Sequence, residues 1–252
     1  MLQQTQVARV VGPWHAFLAR FPDPPACAAA EVGEVVTAWS GLGYNRRAVH
    51  MHRAAVEVTV RHGGQVPDDL DALLALPGIG PYTARAVLAF AFERDVGVID
   101  TNAARVLARA AAGRPLRPRE AQALADACVP AGEGWAYNQG LLDLGAGVCT
   151  SRAPACDRCP LAGVCAWRRS GPGPDPAVGS AGTGSRQSTF AGSHRQGRGR
   201  LVAALRAGPL RPDEVAAAAG WPDDPSRAAL ALAGLVADGL AVVDPAGIVR
   251  LP

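Results

Sequence analysis

Four cysteines fall within seventeen residues: Cys149, Cys156, Cys159 and Cys165, in the spacing C-x6-C-x2-C-x5-C. A segment that short encloses almost no apolar core, so thiols at this density point to a metal centre that holds the loop together. A zinc site more often presents two separated C-x2-C pairs. Here a single C-x2-C pair has its partners at unequal distances on either side. The asymmetry favours an iron–sulfur cluster, with zinc or disulfides as the alternatives. A thiolate-held cluster needs a reducing compartment, so the expected location is the cytoplasm. There is no N-terminal signal pattern and no apolar run of bilayer length. Cys27 and Cys128 lie among apolar helical residues and read as buried thiols.

The chain contains no lysine, so all 25 of its basic residues are arginine. This excludes a lysine Schiff base and a P-loop lysine. The net charge of +3 is unevenly spread, with six Arg against one Asp between Ala166 and Arg200. A basic segment of this kind permits contact with nucleic acid without requiring it.

Apolar residues recur at helical spacing through most of residues 1–148, and strand-like alternation is nearly absent, so this part reads as all-α. Val7, Val10, Val11, Trp14, Phe17 and Leu18 mark the face of a first helix, Val32, Val35, Val36 and Trp39 a second, and Val49, Ala54, Ala55 and Val58 a third. Residues 149–169 form the cysteine loop. Residues 170–197 are dominated by Gly, Ser, Pro and Thr and read as a flexible linker. Residues 198–252 spell three short helices and a hairpin around Asp244-Pro-Ala-Gly247, a winged-helix-like module. About 55 residues are marginal for independent folding, so this module is expected to dock on the main body.

Leu76-Pro-Gly-Ile-Gly-Pro-Tyr-Thr-Ala84 joins two helical patterns, within residues 70–91. Gly78 and Gly80 permit a tight turn whose N–H groups face outward at a helix N-terminus, an arrangement that grips phosphate without base preference. Val98-Ile-Asp-Thr-Asn102 places Asp100 at the start of a further helix, as a simple N-cap or as a carboxylate at the mouth of a cleft, with Asn102 to orient it or reach a DNA backbone.

The hairpin, the Asp100 segment and the cysteines occur in that order, together with Met1-Leu-Gln-Gln-Thr-Gln6 and Trp39-Ser-Gly-Leu-Gly-Tyr44. The set resembles the helix–hairpin–helix glycosylases of the endonuclease III superfamily, and most closely the MutY family of adenine DNA glycosylases, over residues 1–165. The resemblance implies a [4Fe-4S] cluster on the four cysteines and an adenine-removing enzyme. Its partner would be double-stranded DNA with adenine opposite 8-oxoguanine or guanine, and it would act as a monomer associated with the nucleoid. It assigns Asp100 to stabilising a sugar cation. Leu2, Gln3 and Gln4 would fill the duplex where adenine leaves it, and Tyr44 would insert beside the oxidised base. Tyr82 occupies the position where strand-nicking relatives carry a catalytic lysine, so base removal alone is expected. Arg46, Arg47 and Arg152 are candidates for phosphate contact, while His50 and His52 read as structural. Two other functions stay open: a mismatch-binding protein without catalysis, and a G·T mismatch glycosylase.

Two departures accompany the resemblance. The family's proton-donating Glu lies two residues before the position of Met1, so either the natural protein extends upstream, with a further helix, as is expected, or it is truncated and binds DNA while excising slowly or not at all. The winged-helix-like module is too short for the Nudix-like domain that many relatives use to check 8-oxoguanine. Ser193, His194 and Arg195 could form a compact substitute.

Overall fold

The computed structural model describes residues 1–2, 5–180 and 189–252, and its contacts divide the chain into two units. One comprises Met1–Pro67, Leu76–Gly78 and Gln187–Pro252; the other comprises Asp68–Ala75 and Ile79–Arg186.

The first unit begins with α1 (Val7–Arg20), α2 (Pro24–Ala28), α3 (Val32–Ala38) and α4 (Arg46–Arg61). Asp23 starts α2 by accepting a bond from Ala26 N at 2.8 Å, and Pro24 at its first position has no N–H to satisfy. Val35, Val36 and Trp39 of the second expected helix are buried, as are Val49, Ala54, Ala55 and Val58 of the third. The first helix departs from its pattern. Only Val10 and Phe17 are buried, whereas Val7, Val11, Trp14 and Leu18 stay exposed along the flank of the helix.

The second unit holds α5 (Leu70–Ala75), α6 (Pro81–Ala91), α7 (Thr101–Val106), α8 (Pro118–Cys128), α9 (Gly134–Gly147) and α10 (Ala166–Arg169). Beyond Val106, α7 loosens into a π-helical stretch, Leu107–Ala112. Its core gathers Ala103, Val106, Leu107, Ala108, Leu116, Ala121, Ala125 and Leu141. Small residues on facing helices let the backbones approach closely: a Cβ on Gly145 of α9 would stand 2.7 Å from that of Asn102 on α7.

The chain then returns to the first unit with α11 (His194–Ala207), α12 (Val215–Ala219), α13 (Pro225–Ala237) and the antiparallel pair β1 (Val242–Val243) and β2 (Val249–Arg250). Asp244 builds the hairpin turn by accepting bonds from Ala246 N and Ile248 N, each at 2.9 Å. This winged-helix-like module does not close a core of its own. Leu201, Val202, Leu205, Leu235 and Leu240 join Val10, Phe17, Val35, Val36 and Trp39 in one cluster. Arg206 Nη2 donates to Val36 O at 2.9 Å and Asn45 Oδ1 at 3.0 Å, and Gly33 N donates to Pro252 O at 2.9 Å. A module of this size buries too little surface alone, and sharing a core supplies the rest.

The expected linker of residues 170–197 is corrected at both ends. At its start, Ala177 and Ser180 are buried and Asp175 pairs with Arg109. At its end, Ser193 caps α11, its Oγ accepting from Gln196 N at 3.3 Å. Composition alone missed both, because an ion pair or a cap holds the few residues around it whatever the composition; residues 181–188 of the expected linker lie outside the described residues. Cys128 is likewise only partly buried, unlike Cys27, whose thiol is raised to about 11 by burial.

Candidate active site

In the second unit, Asp100 is placed by the nonhelical run before α7. Asn138 of α9, 1% exposed, holds that run: its Oδ1 accepts from Val98 N at 2.8 Å, while its Nδ2 donates to Val96 O at 2.8 Å and to Gly134 O at 2.7 Å. Asp126 adds a second anchor, accepting from Gly97 N at 2.8 Å and Arg85 Nη1 at 2.6 Å. Gly97 is required there, since a Cβ would meet Ala125 at 2.6 Å.

The Asp100 carboxylate caps α7, one oxygen accepting from Asn102 N at 2.8 Å and Ala103 N at 2.7 Å. Asn102 turns its own Oδ1 to Arg105 Nη2 at 2.7 Å. Arg105 in turn donates to Gly145 O at 2.6 Å and, through Nε, to Cys149 O at 2.7 Å. Asn102 thus touches Asp100 through its backbone and is tied inward by its side chain. Tyr82, on the first turn of α6, has its phenol pushed above the ordinary range, first by burial and then by the Asp100 charge. Gly80 caps α6 without a side chain, and Pro81 follows at the first helical position.

The cysteine loop folds back on itself through Ala155 N to Val148 O at 2.9 Å and Cys165 N to Leu161 O at 2.8 Å. Cys149, Cys156, Cys159 and Cys165 are free thiols and line one cavity whose other walls include Val106, Leu144, Val148, Leu161 and Trp167. Among the described residues, no group of three or more Cys, His, Asp or Glu side chains is arranged to hold a single metal ion. Four thiols around one apolar cavity, with the Arg109 cation 3.4 Å from Cys149 Sγ to offset thiolate charge, fit a multi-iron cluster better than zinc. Arg152 sits exposed at the start of the loop.

In the first unit, Arg47 stitches the chain start to the Gly41–Tyr44 turn. Its Nη1 donates to Met1 O at 3.1 Å and its Nη2 to Thr5 Oγ1, Leu42 O and Gly43 O at 3.2–3.3 Å. This corrects its reading as a phosphate contact: the guanidinium is engaged inside the protein. Tyr44 lies over it, ring centre 5.8 Å away, with a left-handed φ of 46° that is uncommon for a tyrosine. Leu2 and Tyr44 are both exposed. Gln3 and Gln4 lie outside the described residues. Gly78, at φ +78°, packs so closely on His50 that a Cβ would stand 2.5 Å from it. His194 stacks on Trp221 at 6.3 Å and Arg195 lies over Phe190 at 5.9 Å, so both belong to the start of α11.

Residue-by-residue reading missed Asn138 and Arg109 altogether. The one signal for Arg109 was a charged residue four positions after Arg105 within an otherwise apolar helix.

Residues 1–130 match the HhH-GPD superfamily of base excision DNA repair proteins, and residues 149–165 match the iron–sulfur binding domain of endonuclease III. The chain is 41% identical over 258 residues to the adenine DNA glycosylase of Mycobacterium tuberculosis (strain CDC 1551 / Oshkosh), covering 100% of this chain and 83% of that protein. It is 42% identical over 244 residues to the adenine DNA glycosylase of Mycolicibacterium smegmatis, covering 95% and 80%. Among solved structures, a thermostable thymine-DNA glycosylase superposes with a TM-score of 0.61 at 27% identity, over 67% of this chain and 80% of that one.

Proposed function

The chain belongs to the HhH-GPD superfamily of base excision DNA repair proteins and, within it, to the adenine DNA glycosylases, and on that premise we propose that it removes adenine paired with 8-oxoguanine or guanine. It is a glycosylase that hydrolyses the N-glycosidic bond in DNA, and its four cysteines hold a [4Fe-4S] cluster. When bound, the cluster supplies folding energy to the loop rather than a step of hydrolysis.

The observation that carries the reading is the anchored Asp100 carboxylate, whose charge reaches the Tyr82 phenol, in a chain without lysine. As the bond from sugar to base breaks, its electron pair leaves with the purine and positive charge develops on the sugar. A carboxylate fixed in advance stabilises that charge without reorganising. Water then adds to the sugar carbon and gives up a proton, the departing adenine takes up one in turn, and an abasic site remains. With no lysine at position 82 or elsewhere in the sequence, no lysine Schiff base forms and the strand stays intact. In this reading Asn102 and Arg105 brace the first turn of α7, Gly78 and Gly80 present the hairpin to phosphate, and Leu2, Gln3, Gln4 and Tyr44 occupy the space that the flipped base leaves. The protein acts as a monomer on the nucleoid, and among the described residues no helix is long and apolar enough to cross a membrane.

The test is single-turnover excision, by protein carrying the family's proton-donating Glu upstream of Met1, from duplexes carrying A·8-oxoguanine, A·G, G·T and matched pairs. Release of adenine with an intact strand is expected. Release of thymine from G·T instead would replace the substrate assignment, and tight mismatch binding without any excision would replace catalysis by recognition.

A further inference from the structure

A single buried arginine joins the cysteine loop to the segment that follows it. Arg109 is 2% exposed. Its Nε donates to Asp175 Oδ1 at 2.9 Å and its Nη2 to Asp175 Oδ2 at 2.5 Å. That bidentate grip aims Nη1 the other way, at Thr150 O (2.7 Å) and Cys149 Sγ (3.4 Å). Trp167 covers the guanidinium with its ring centre 5.1 Å away, and Cys165 Sγ lies 3.5 Å from Arg109 O. One residue therefore touches the first and the last of the four cysteines.

Asp175 is itself held. Its Oδ1 accepts from Ala177 N at 2.9 Å. Three residues beyond Ala177, Ser180 Oγ donates to Pro176 O at 2.6 Å and accepts from Leu116 N at 3.1 Å, which fastens this strap to the rest of the second unit. The arginine's bonds hold the Asp175 carboxyl below the usual carboxylate range.

We propose that Asp175, acting through Arg109, sets the reduction potential of the iron–sulfur cluster. A donor to a ligand sulfur and a nearby positive charge both favour the more reduced state, which carries one more negative charge. Asp175 orients that donor and at the same time offsets its charge. It touches none of the cysteines, so it is a positioning residue. The inference rests on the cluster assignment and is independent of which base is excised.

The experiment is voltammetry of the full chain carrying its cluster, one electron passing between electrode and cluster with no bond broken. Asp175→Asn keeps the side-chain size and an acceptor but removes the negative charge, and Arg109 remains held by Thr150 O and Ser151 O. Its potential moves positive of wild type, with iron content and cluster absorbance unchanged. Arg109→Lys loses both the bidentate grip and the fixed N–H aimed at Cys149, and its potential moves negative. An unchanged potential in either variant at full iron content, or a shift of the opposite sign, overturns the proposal. A colourless, iron-free wild-type protein overturns the cluster assignment beneath it, whereas failure to excise adenine leaves these shifts in place and bears only on the proposed function.

Discussion

Two short nonhelical segments carry the candidate chemistry, and they are held in opposite ways. Residues 96–100 in the second unit are pinned by the buried Asn138 and by Asp126, which is exposed but bonded to both Gly97 N and Arg85, and they end in a carboxylate bound to two backbone N–H groups. Gly41–Tyr44 in the first unit turns through three left-handed residues, Gly41, Gly43 and Tyr44, and presents an exposed ring over one arginine. The difference separates two tasks. A group that stabilises developing charge works best when it cannot reorganise. A ring that enters a base stack must be exposed, and a left-handed backbone aims it outward at an energetic cost.

The largest effect should come from breaking the rigid side. Asp100→Asn keeps the cap geometry while removing the charge, and single-turnover excision should fall by roughly 10²–10³-fold with mismatch binding retained. Excision within tenfold of wild type would remove Asp100 from catalysis. Next comes the anchor itself: Asn138→Leu leaves Val98 N and Val96 O without partners, and chemical denaturation should show a loss of about 2–4 kcal/mol. A loss below about 1 kcal/mol would mean that the run before α7 is supported elsewhere.

The exposed side should respond differently. Tyr44→Gly relieves the left-handed strain, so stability should stay level or rise by about 1 kcal/mol even as preference for 8-oxoguanine over guanine weakens. Lower stability together with unchanged preference would reverse the contrast. The smallest effect concerns His50, whose imidazole is held below its ordinary range by burial and by Arg46 and Arg53, with Asp238 opposing. Its neutral form is the one the fold prefers. Stability therefore declines as pH falls from the unfolded-state value through the lowered folded one, and His50→Gln should flatten that decline in thermal melts across pH 5–7. An identical pH profile would discount the histidine.

Much of both segments was legible before any coordinates. The N-cap role of Asp100, the glycine-bearing motif that ends in Tyr44, the hairpin at Gly78 and Gly80 and the winged-helix-like hairpin at Asp244 each involve partners a few residues apart, so spacing reveals them. The exposed flank of α1 shows where periodicity overstates burial: a broad apolar face on a helix does not say which strip of it meets a neighbour. Arg47 was misread for a related reason, since an arginine in a sequence looks like surface charge until backbone carbonyls are found around it.

By itself the sequence determined the helical class, the four thiols that claim a cluster, the carboxylate at position 100 and the exclusion of lysine chemistry. Each depends on residue identity or on spacing within a few turns of chain. Only the tertiary structure decided that Asn138 holds Val98, that Arg109 reaches Cys149 and Asp175, and that the C-terminal module completes the core of the first helices. Those pairings join residues 40 or more positions apart, and a buried polar group takes whichever partner the packing brings within hydrogen-bond reach, which no local pattern encodes.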